Sequence, residues 1–295
     1  MDAFLIGVPK AGTTWLSHVL DQHPGVDLSN PMEPNFIATH KGTFERVVEE
    51  PVWNEYKGFF SGDGLKIDAS VHTFACPIAP GRIKANFPNA KFILCLREPV
   101  SRTVSHWNMI RNSGEDGANN RNWDAFEEAW LEDALRVDSL YGTSMGNWLK
   151  EFKLGRFTII DSSRMRSEPL EVIREIEEFL GIDEWNYDLR MDRHANSAAS
   201  NRRVSLLGRA AMLFFSLIPR MIKSPIVRFL QGRDWNIYRL PILSVKGEYV
   251  PLGKLHYLTC GEELCEELGL FGRLTGFDHS QWESHIRENL QEGES

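Results

Sequence analysis

A short apolar run near the start of the sequence breaks at a turn and resumes as an amphipathic segment. Residues 4–8 are apolar and predict a strand, and residues 9–12 (P-K-A-G) predict a turn. In residues 13–20 the apolar side chains recur at helical spacing. A strand that passes through such a turn into a helix directs backbone N–H groups and the positive end of the helix dipole at one point. The feature therefore predicts a phosphate-binding turn.

The position of the lysine in this turn indicates which phosphate chemistry it supports. Kinase loops have the pattern G-x-x-x-x-G-K-[ST], in which the lysine reaches the β and γ phosphates and the hydroxyl binds magnesium. Here Thr13 stands at the lysine position, and Lys10 lies in the middle of the turn. Lys10 is then near the bridging oxygen of a shorter donor, and Thr13 and Thr14 can bind a 5′-phosphate. An ATP-dependent kinase that uses magnesium is disfavoured but stays as the alternative enzyme.

The rest of the sequence predicts an α/β protein with a three-layer fold, a central parallel sheet flanked by helices. Further strands are predicted at 65–69, 91–97 and 156–161, and helices at 80–87, 100–112, 123–136, 140–152 and 170–180. Ligands of such sheets bind beyond the carboxyl ends of the strands, which is where Arg97 follows its strand. A length of 295 residues is compatible with one domain, predicted over 1–295.

Two motifs resemble those of the sulfotransferases that use 3′-phosphoadenosine-5′-phosphosulfate (PAPS). Residues 9–15 (P-K-A-G-T-T-W) are similar to the family's 5′-phosphosulfate loop, P-K-[SA]-G-T-T-W. Residues 97–106 (R-E-P-V-S-R-T-V-S-H) resemble its 3′-phosphate motif, R-[DE]-P-x-x-R-x-x-S-[HY]. The pattern is closest to bacterial and heparan-sulfate-type carbohydrate sulfotransferases. The resemblance implies a P-loop-like fold and transfer of a sulfuryl group from PAPS without a metal.

The resemblance also implies roles for individual residues. Lys10 would stabilise charge on the bridging oxygen, and Arg97 and Ser105 would bind the 3′-phosphate through charge-assisted contacts. Trp15 would stack on adenine, unless it is a core residue of its helix. The other implied nucleotide contacts are Ala11, Gly12, Thr13, Thr14, Tyr141, Arg202 and Arg203. For Arg102 we expect a carboxylate partner, and for His106 local packing or hydrogen bonding.

Sulfuryl transfer requires a base that removes the acceptor proton. Residues 30–36 (N-P-M-E-P-N-F) resemble a K-E-x-H-F-F-like stretch of the carbohydrate sulfotransferases, in which the glutamate is the base. Met32 and Asn35 depart from that pattern, and Glu33 is the candidate base. His72 is the competing candidate, because the small-molecule branch of the family uses a histidine; a structural role for His72 also stays open. Nearby residues that could orient the acceptor are Asp68 and Ser70.

Composition limits the partners. The net charge of −8 argues against a general nucleic-acid binder. The segment 202–233 has seven basic and no acidic residues, and we expect it to be helical, either core-packed, an acceptor lid or a peripheral membrane contact. No signal segment or spanning helix is evident, which predicts a cytoplasmic protein if Met1 is native. The cysteine spacing predicts reduced thiols and no metal site.

The acceptor predicted from the glutamate pattern is a hydroxyl or amine of a carbohydrate or a small-molecule natural product. Acceptor pockets are built from variable loops, so the residues alone do not identify it. A non-catalytic nucleotide-binding module is the alternative from a different functional class. Oligomeric state leaves no signal in the sequence.

Overall fold

The computed structural model describes residues 1–190, 202–204 and 244–291, with only the backbone described at 202–204 and 244–246. Its strands are β1 (Ala3–Gly7), β2 (Val26–Leu28), β3 (His40–Lys41), β4 (Glu45–Arg46), β5 (Leu65–Asp68), β6 (Lys91–Leu96), β7 (Phe157–Asp161), β8 (Arg202–Val204) and β9 (Ser244–Lys246). In this part of the chain a parallel five-stranded sheet has the order β2-β5-β1-β6-β7. Two antiparallel pairs, β3 with β4 and β8 with β9, lie outside that sheet.

Helices flank the sheet, as the sequence predicts. They are α1 (Thr13–Leu20), α2 (Trp53–Tyr56), α3 (Ala79–Asn86), α4 (Pro99–Ser113), α5 (Glu115–Ala118), α6 (Phe126–Trp130), α7 (Asp133–Arg136), α8 (Tyr141–Trp148), α9 (Arg164–Ser167), α10 (Pro169–Leu180), α11 (Lys254–Thr275) and α12 (Ser280–Gln291). Short 3₁₀ turns lie at Lys57–Phe59, Val137–Ser139 and Leu154–Arg156. No helix within 1–190 or 244–291 is both long and apolar enough to cross a bilayer.

The central strands are apolar because both faces of the sheet are covered. All of β1 and all of β6 except its first residue are buried, as expected of strands in a parallel sheet. Each of the strands predicted at 4–8, 65–69, 91–97 and 156–161 is present, with its ends shifted by at most one residue. The four cysteines are free and buried in the structure, and their reduced state stays a prediction.

Two helix predictions are wrong in extent. The helix predicted over 123–136 is two short helices, α6 and α7, because Glu132 between them has an extended backbone. Its carboxylate accepts a hydrogen bond from the indole of buried Trp123 at 3.0 Å, which places Trp123 outside a helix. The helix predicted over 140–152 begins at Tyr141 and ends at Trp148.

The segment predicted as helical over 202–233 begins with a strand instead. Residues 202–204 form β8, whose backbone pairs with β9 in the register Arg202 opposite Lys246, and β8 lies against α4. The local pattern of basic and apolar residues does not reveal this strand, because its partner β9 is distant in the sequence. Residues 205–233 lie outside the described residues.

The carboxyl ends of the parallel strands meet at one edge of the sheet. The turn after β5 crosses directly over the end of β1, where the N–H of Phe74 donates to the carbonyl of Ile6 at 2.8 Å. Gly7 makes this approach possible: a Cβ at this position would lie 2.9 Å from the carbonyl oxygen of Val71, and its φ of +155° disfavours other residues. The loops that follow β1 and β5 are therefore held against each other.

Candidate active site

The turn between β1 and α1 has the geometry of an anion-binding loop. The N–H of Val8 donates to Cys95 in β6 at 2.7 Å, which fixes the start of the turn. Lys10 and Gly12 have positive φ values of 71° and 85°, and Gly12 is the N-terminal cap of α1 without a capping side chain. The first N–H groups of a helix have no partner within it. The loop thus presents backbone donors at the carboxyl edge of the sheet, as predicted from residues 9–15.

The residues of the loop differ in exposure. Ala11 and Thr13 are buried, Gly12 is exposed, and Thr14 is half-buried. Trp15 is half-buried and packs on the core, but its indole N–H is buried without a hydrogen-bond partner among the described residues. This arrangement leaves both predictions for Trp15, adenine contact and core residue, compatible with the structure.

Lys10 carries its ammonium group into a cationic environment. Its Nζ lies 3.6 Å from Sδ of Met109 in α4. Burial and, to a lesser extent, the nearby guanidinium groups of Arg97 and Arg102 together lower the pKa of Lys10 to about 8. Three positive side chains so close together form a favourable site for an anion.

Arg97 is brought directly to this loop. Its Nη1 donates to the carbonyl oxygen of Lys10 at 3.3 Å. Two contacts hold the backbone around Arg97: the hydroxyl of Tyr141 donates to its carbonyl at 2.9 Å, and the side chain of Glu98 caps α4 through the N–H groups of Val100 and Ser101. Glu98 is therefore a helix cap that orients Arg97. Burial and the neighbouring Arg166 lower the pKa of Arg97.

Ser105 lies on the same face of α4 as Met109, because the two are one helical turn apart. Both are half-buried, whereas the side chains on the opposite face are buried. The structure therefore brings Lys10 together with Arg97 and Met109, and Ser105 lies one helical turn before Met109 on the same face of α4. The predicted contact of Ser105 with the 3′-phosphate stays a prediction.

Tyr141, Arg202 and Arg203 are the remaining residues that the sequence predicts to contact the nucleotide. The sequence predicts that Tyr141 approaches the nucleotide; in the structure its ring is buried and its hydroxyl binds the backbone of Arg97, so it acts on the site through that residue. The side chains of Arg202 and Arg203 lie outside the described residues. Their predicted contact with the donor stays a prediction.

Behind this space, Arg102 and His106 are fully buried. Arg102 donates to Oγ of Ser139 at 2.6 Å and to the carbonyl of Leu135 at 3.2 Å, while the carboxylate of Asp138 acts on it at longer range. The expected carboxylate partner is thus a neighbour but not a direct contact. His106 bonds locally, as predicted, with Nε2 2.9 Å from Oγ1 of Thr43.

The loop that carries Glu33 is fastened to the end of β5. Oγ of Ser70 accepts the N–H of Asn35 at 2.9 Å, and the carboxylate of Asp68 accepts the N–H of Ser70 at 2.9 Å and the hydroxyl of Tyr56 at 2.6 Å. Asp68 and Ser70 thus hold the loop; the prediction that either could orient the acceptor stays a prediction. Glu33 itself is half-buried.

Glu33 and His72 influence each other electrostatically. Burial raises the pKa of Glu33, while the positive charge of His72 acts to lower it. Burial acts to lower the pKa of His72, but Asp138, whose Oδ2 lies 3.3 Å from Nδ1, and Glu33 outweigh burial and raise it. A carboxylate with a raised pKa beside a histidine is suited to exchange a proton near neutral pH.

Two residues that sequence reasoning missed belong to the same region. Arg166 in α9 follows β7, is exposed, and lies close enough to Arg97 to lower its pKa. The rule that ligands bind beyond strand ends could have found Arg166. Asp138 lies in a 3₁₀ turn with no recognisable pattern, and no sequence signal points to it. Among the described residues, no cluster of three His, Cys, Asp or Glu side chains could hold a metal.

Comparison with known proteins gives a consistent result. The family model of the sulfotransferase domain matches residues 1–202. Mouse heparan sulfate glucosamine 3-O-sulfotransferase 3B1 is 28% identical over 189 residues, which cover 61% of this chain and 46% of that protein. Mouse bifunctional heparan sulfate N-deacetylase/N-sulfotransferase 4 is 31% identical over 206 residues, which cover 62% of this chain and 22% of that protein. The matched regions are about half or less of these relatives.

A solved structure shows that the fold is shared. The crystal structure of a sulfotransferase from Alicyclobacillus acidocaldarius superposes with a TM-score of 0.53 and 20% sequence identity. The superposition covers 80% of this chain and 96% of that protein.

Proposed function

The chain belongs to the sulfotransferase family, and we propose that it transfers a sulfuryl group from PAPS to a hydroxyl or amine of a carbohydrate or small-molecule acceptor. The observation that carries the proposal is the 3.3 Å contact between Nη1 of Arg97 and the carbonyl of Lys10. This contact joins the exit turn of β1 to the exit of β6, so that two anion-binding regions lie side by side. A nucleotide with phosphates at its 5′ and 3′ positions fits such a pair.

Different residues bind the two ends of the donor. The N–H groups of residues 12–14 and the Lys10 ammonium bind the 5′-phosphosulfate, and Arg97 with Ser105 binds the 3′-phosphate. Arg166 adds positive charge beside Arg97. Because these groups are fixed by backbone contacts before the donor binds, little reorganisation is needed to stabilise the developing charge.

Transfer proceeds by in-line displacement. The acceptor oxygen or nitrogen forms a bond to sulfur while the bond between sulfur and the bridging oxygen breaks, and 3′-phosphoadenosine-5′-phosphate (PAP) is the leaving group. Lys10 stabilises the charge that develops on the bridging oxygen. Glu33 takes the acceptor proton, a contribution of roughly 10²- to 10⁴-fold for a well-placed base.

A carbohydrate is the favoured acceptor class. The support is the Glu33 stretch, together with the names of the relatives, which describe enzymes that act on heparan sulfate. Since the matched regions cover only part of those proteins, their substrates do not transfer directly to this chain.

The test is an incubation with sulfur-labelled PAPS and a panel of glycans, alcohols, phenols and amines. We expect label on at least one acceptor in the presence of EDTA, and loss of transfer in Lys10→Ala and Glu33→Gln, with PAP binding retained in Glu33→Gln. Transfer that needs ATP and magnesium would indicate a kinase instead. PAP binding without transfer to any acceptor would indicate a non-catalytic nucleotide-binding module.

A further inference from the structure

His72, Arg102, His106 and Asp138 form a buried polar cluster, and its hydrogen bonds indicate which of the two histidines carries a charge. Oδ2 of Asp138 lies 3.3 Å from Nδ1 of His72 and 3.7 Å from Nδ1 of His106. The carboxylate of Asp138 is 3% exposed. A carboxylate buried to this degree needs a positive partner, and two histidines compete for that role.

His106 is excluded as the charged partner by its other contacts. Nη1 of Arg102 lies 3.2 Å from Nδ1 of His106, and a guanidinium has no acceptor, so Nδ1 accepts this hydrogen bond. Nε2 then carries the proton and donates to Thr43 at 2.9 Å. His106 is neutral, in keeping with burial and Arg102, which lower its pKa well below the usual value.

His72 is left as the partner that can carry a charge. Burial acts to raise the pKa of Asp138, but His72 and, to a lesser extent, Arg102 outweigh it and keep this carboxylate ionised. The 3.3 Å contact must then have Nδ1–H of His72 as the donor. Glu33 is close enough to His72 for the two charges to act on each other, and its ionised form is also stabilised by the backbone N–H of Val71.

We propose that Asp138 is a positioning residue that holds His72 as an imidazolium, and that this cation keeps the Glu33 carboxylate ionised for proton removal. Glu33 is then the base, and His72 is excluded from that role because its proton is retained. The part that concerns Glu33 rests on the proposed function; the protonation of His72 does not.

The other charges near His72 do not alter this balance. The titratable groups around His72 either favour or oppose its positive charge. Those that favour the imidazolium are Asp138, Glu33 and Glu115, and those that oppose it are Arg46, His40 and His106. Burial and the neighbouring Arg46 lower the pKa of His40 to about 4, and His106 is neutral, so Arg46 is the charged opponent. Arg46 lies on the exposed strand β4, where solvent screens its charge.

The first test reads the proton directly in the wild-type protein. Nitrogen-15 NMR of the imidazole side chains, with His72→Gln to assign the signal, should show both ring nitrogens of His72 protonated at pH 7. A neutral His72 in the wild type would overturn the proposal without any bearing on sulfuryl transfer. In Asp138→Asn, His72 should lose its proton at least about 1 pH unit lower, the effect expected of an opposite charge at this distance. The matched control is Asp133→Asn, an exposed carboxylate in α7 that should leave His72 unchanged.

The second test uses the pH profile of kcat/KM, whose acid limb reports the base. Asp138→Asn lowers the pKa of His72, so Glu33 lacks its cation over the pH range in which His72 is then neutral, and the acid limb should move to higher pH. If His72 were the base, the same substitution would lower the pKa of the base and move the limb to lower pH. The direction in which the acid limb shifts therefore decides whether Glu33 or His72 is the base. A merely structural defect shifts neither limb of the profile. Retained PAP affinity shows that the variant is folded.

Discussion

Lys10 should take up a proton when the donor nucleotide binds. In the free protein burial and two arginines lower its pKa from 10.5 to about 8, so about half of the Lys10 side chains are neutral at pH 8. An anionic phosphate beside the ammonium restores its charge. We expect Lys10 to contribute an uptake of about 0.5 proton per PAP at pH 8 and about 0.1 at pH 7, measured as the difference between the wild type and Lys10→Met. The phosphates of PAP contribute little at pH 8, since their second pKa is about 6.

The assay is isothermal titration calorimetry of PAP in two buffers that differ in ionisation enthalpy, at pH 7 and pH 8. The difference in observed heat gives the number of protons taken up. Lys10→Met should bind PAP more weakly, should lack the contribution of Lys10 at both pH values, and should show almost no uptake at pH 8. The matched control is Lys150→Met, which removes an exposed lysine whose Nζ binds Asn147, and its uptake should equal that of the wild type.

Stability gives an independent reading of the same group. The pKa of Lys10 is lower in the folded than in the unfolded state, so the unfolded state binds more protons between pH 8 and 10.5. The contribution of Lys10 therefore makes the free energy of unfolding of the ligand-free protein rise with pH through this window. Equal proton uptake in the wild type and in Lys10→Met, or none in the wild type at pH 8, would refute the assignment of Lys10 to the donor site.

Two further predictions concern the residues around Lys10. Arg97→Ala should weaken PAP binding by about ten- to a hundredfold, because a charge-assisted contact of ~1.5–3 kcal/mol is lost. In the control variant Arg164→Ala, whose arginine pairs with Glu168 and Glu175, calorimetry should show an unchanged PAP affinity. An unchanged PAP affinity in Arg97→Ala would contradict the two-pocket site. Gly7→Ala should lower the free energy of unfolding by ~1–3 kcal/mol, because its Cβ would meet the Val71 carbonyl at 2.9 Å. In the control variant Gly155→Ala, where a Cβ meets nothing within 4 Å, urea denaturation should show a change of less than about 0.5 kcal/mol in the free energy of unfolding. A similarly small change in Gly7→Ala would show that the contact between the turns after β1 and β5 tolerates a side chain.

The sheet was predictable because its strands are buried on both faces. The apolar runs of β1 and β6 show where they lie, and the helical spacing after each of them implies parallel connections. By contrast β2 escaped prediction. It is three residues long and has Asp27 at its centre, whose buried carboxylate accepts the N–H of Gly62 at 2.9 Å. An edge strand with an internal polar residue has no apolar signature.

The donor side of the site was predictable for a related reason. Lys10 and Arg97 each follow a parallel strand, so their meeting is a consequence of topology. The polar cluster was not predictable, because Asp138 reaches His72 from a short 3₁₀ turn between two helices that the sequence pattern merges or misplaces. Contacts between such irregular segments depend on tertiary packing, which leaves no periodic signal.

Backbone contacts between the loops after β1 and β5 determine the relative position of the proposed donor site and the proposed base. Lys10 follows β1, while His72 lies in the turn after β5, and Ser70 of that turn holds the Glu33 loop. The two turns meet where Phe74 donates to Ile6 and where Gly7 leaves no room for a Cβ. In-line transfer requires reacting groups to be placed within about 0.5 Å of the productive geometry. A hydrogen-bonded junction without side chains can provide that precision, because no rotamer change can alter the separation between the Lys10 turn and the turn that carries His72.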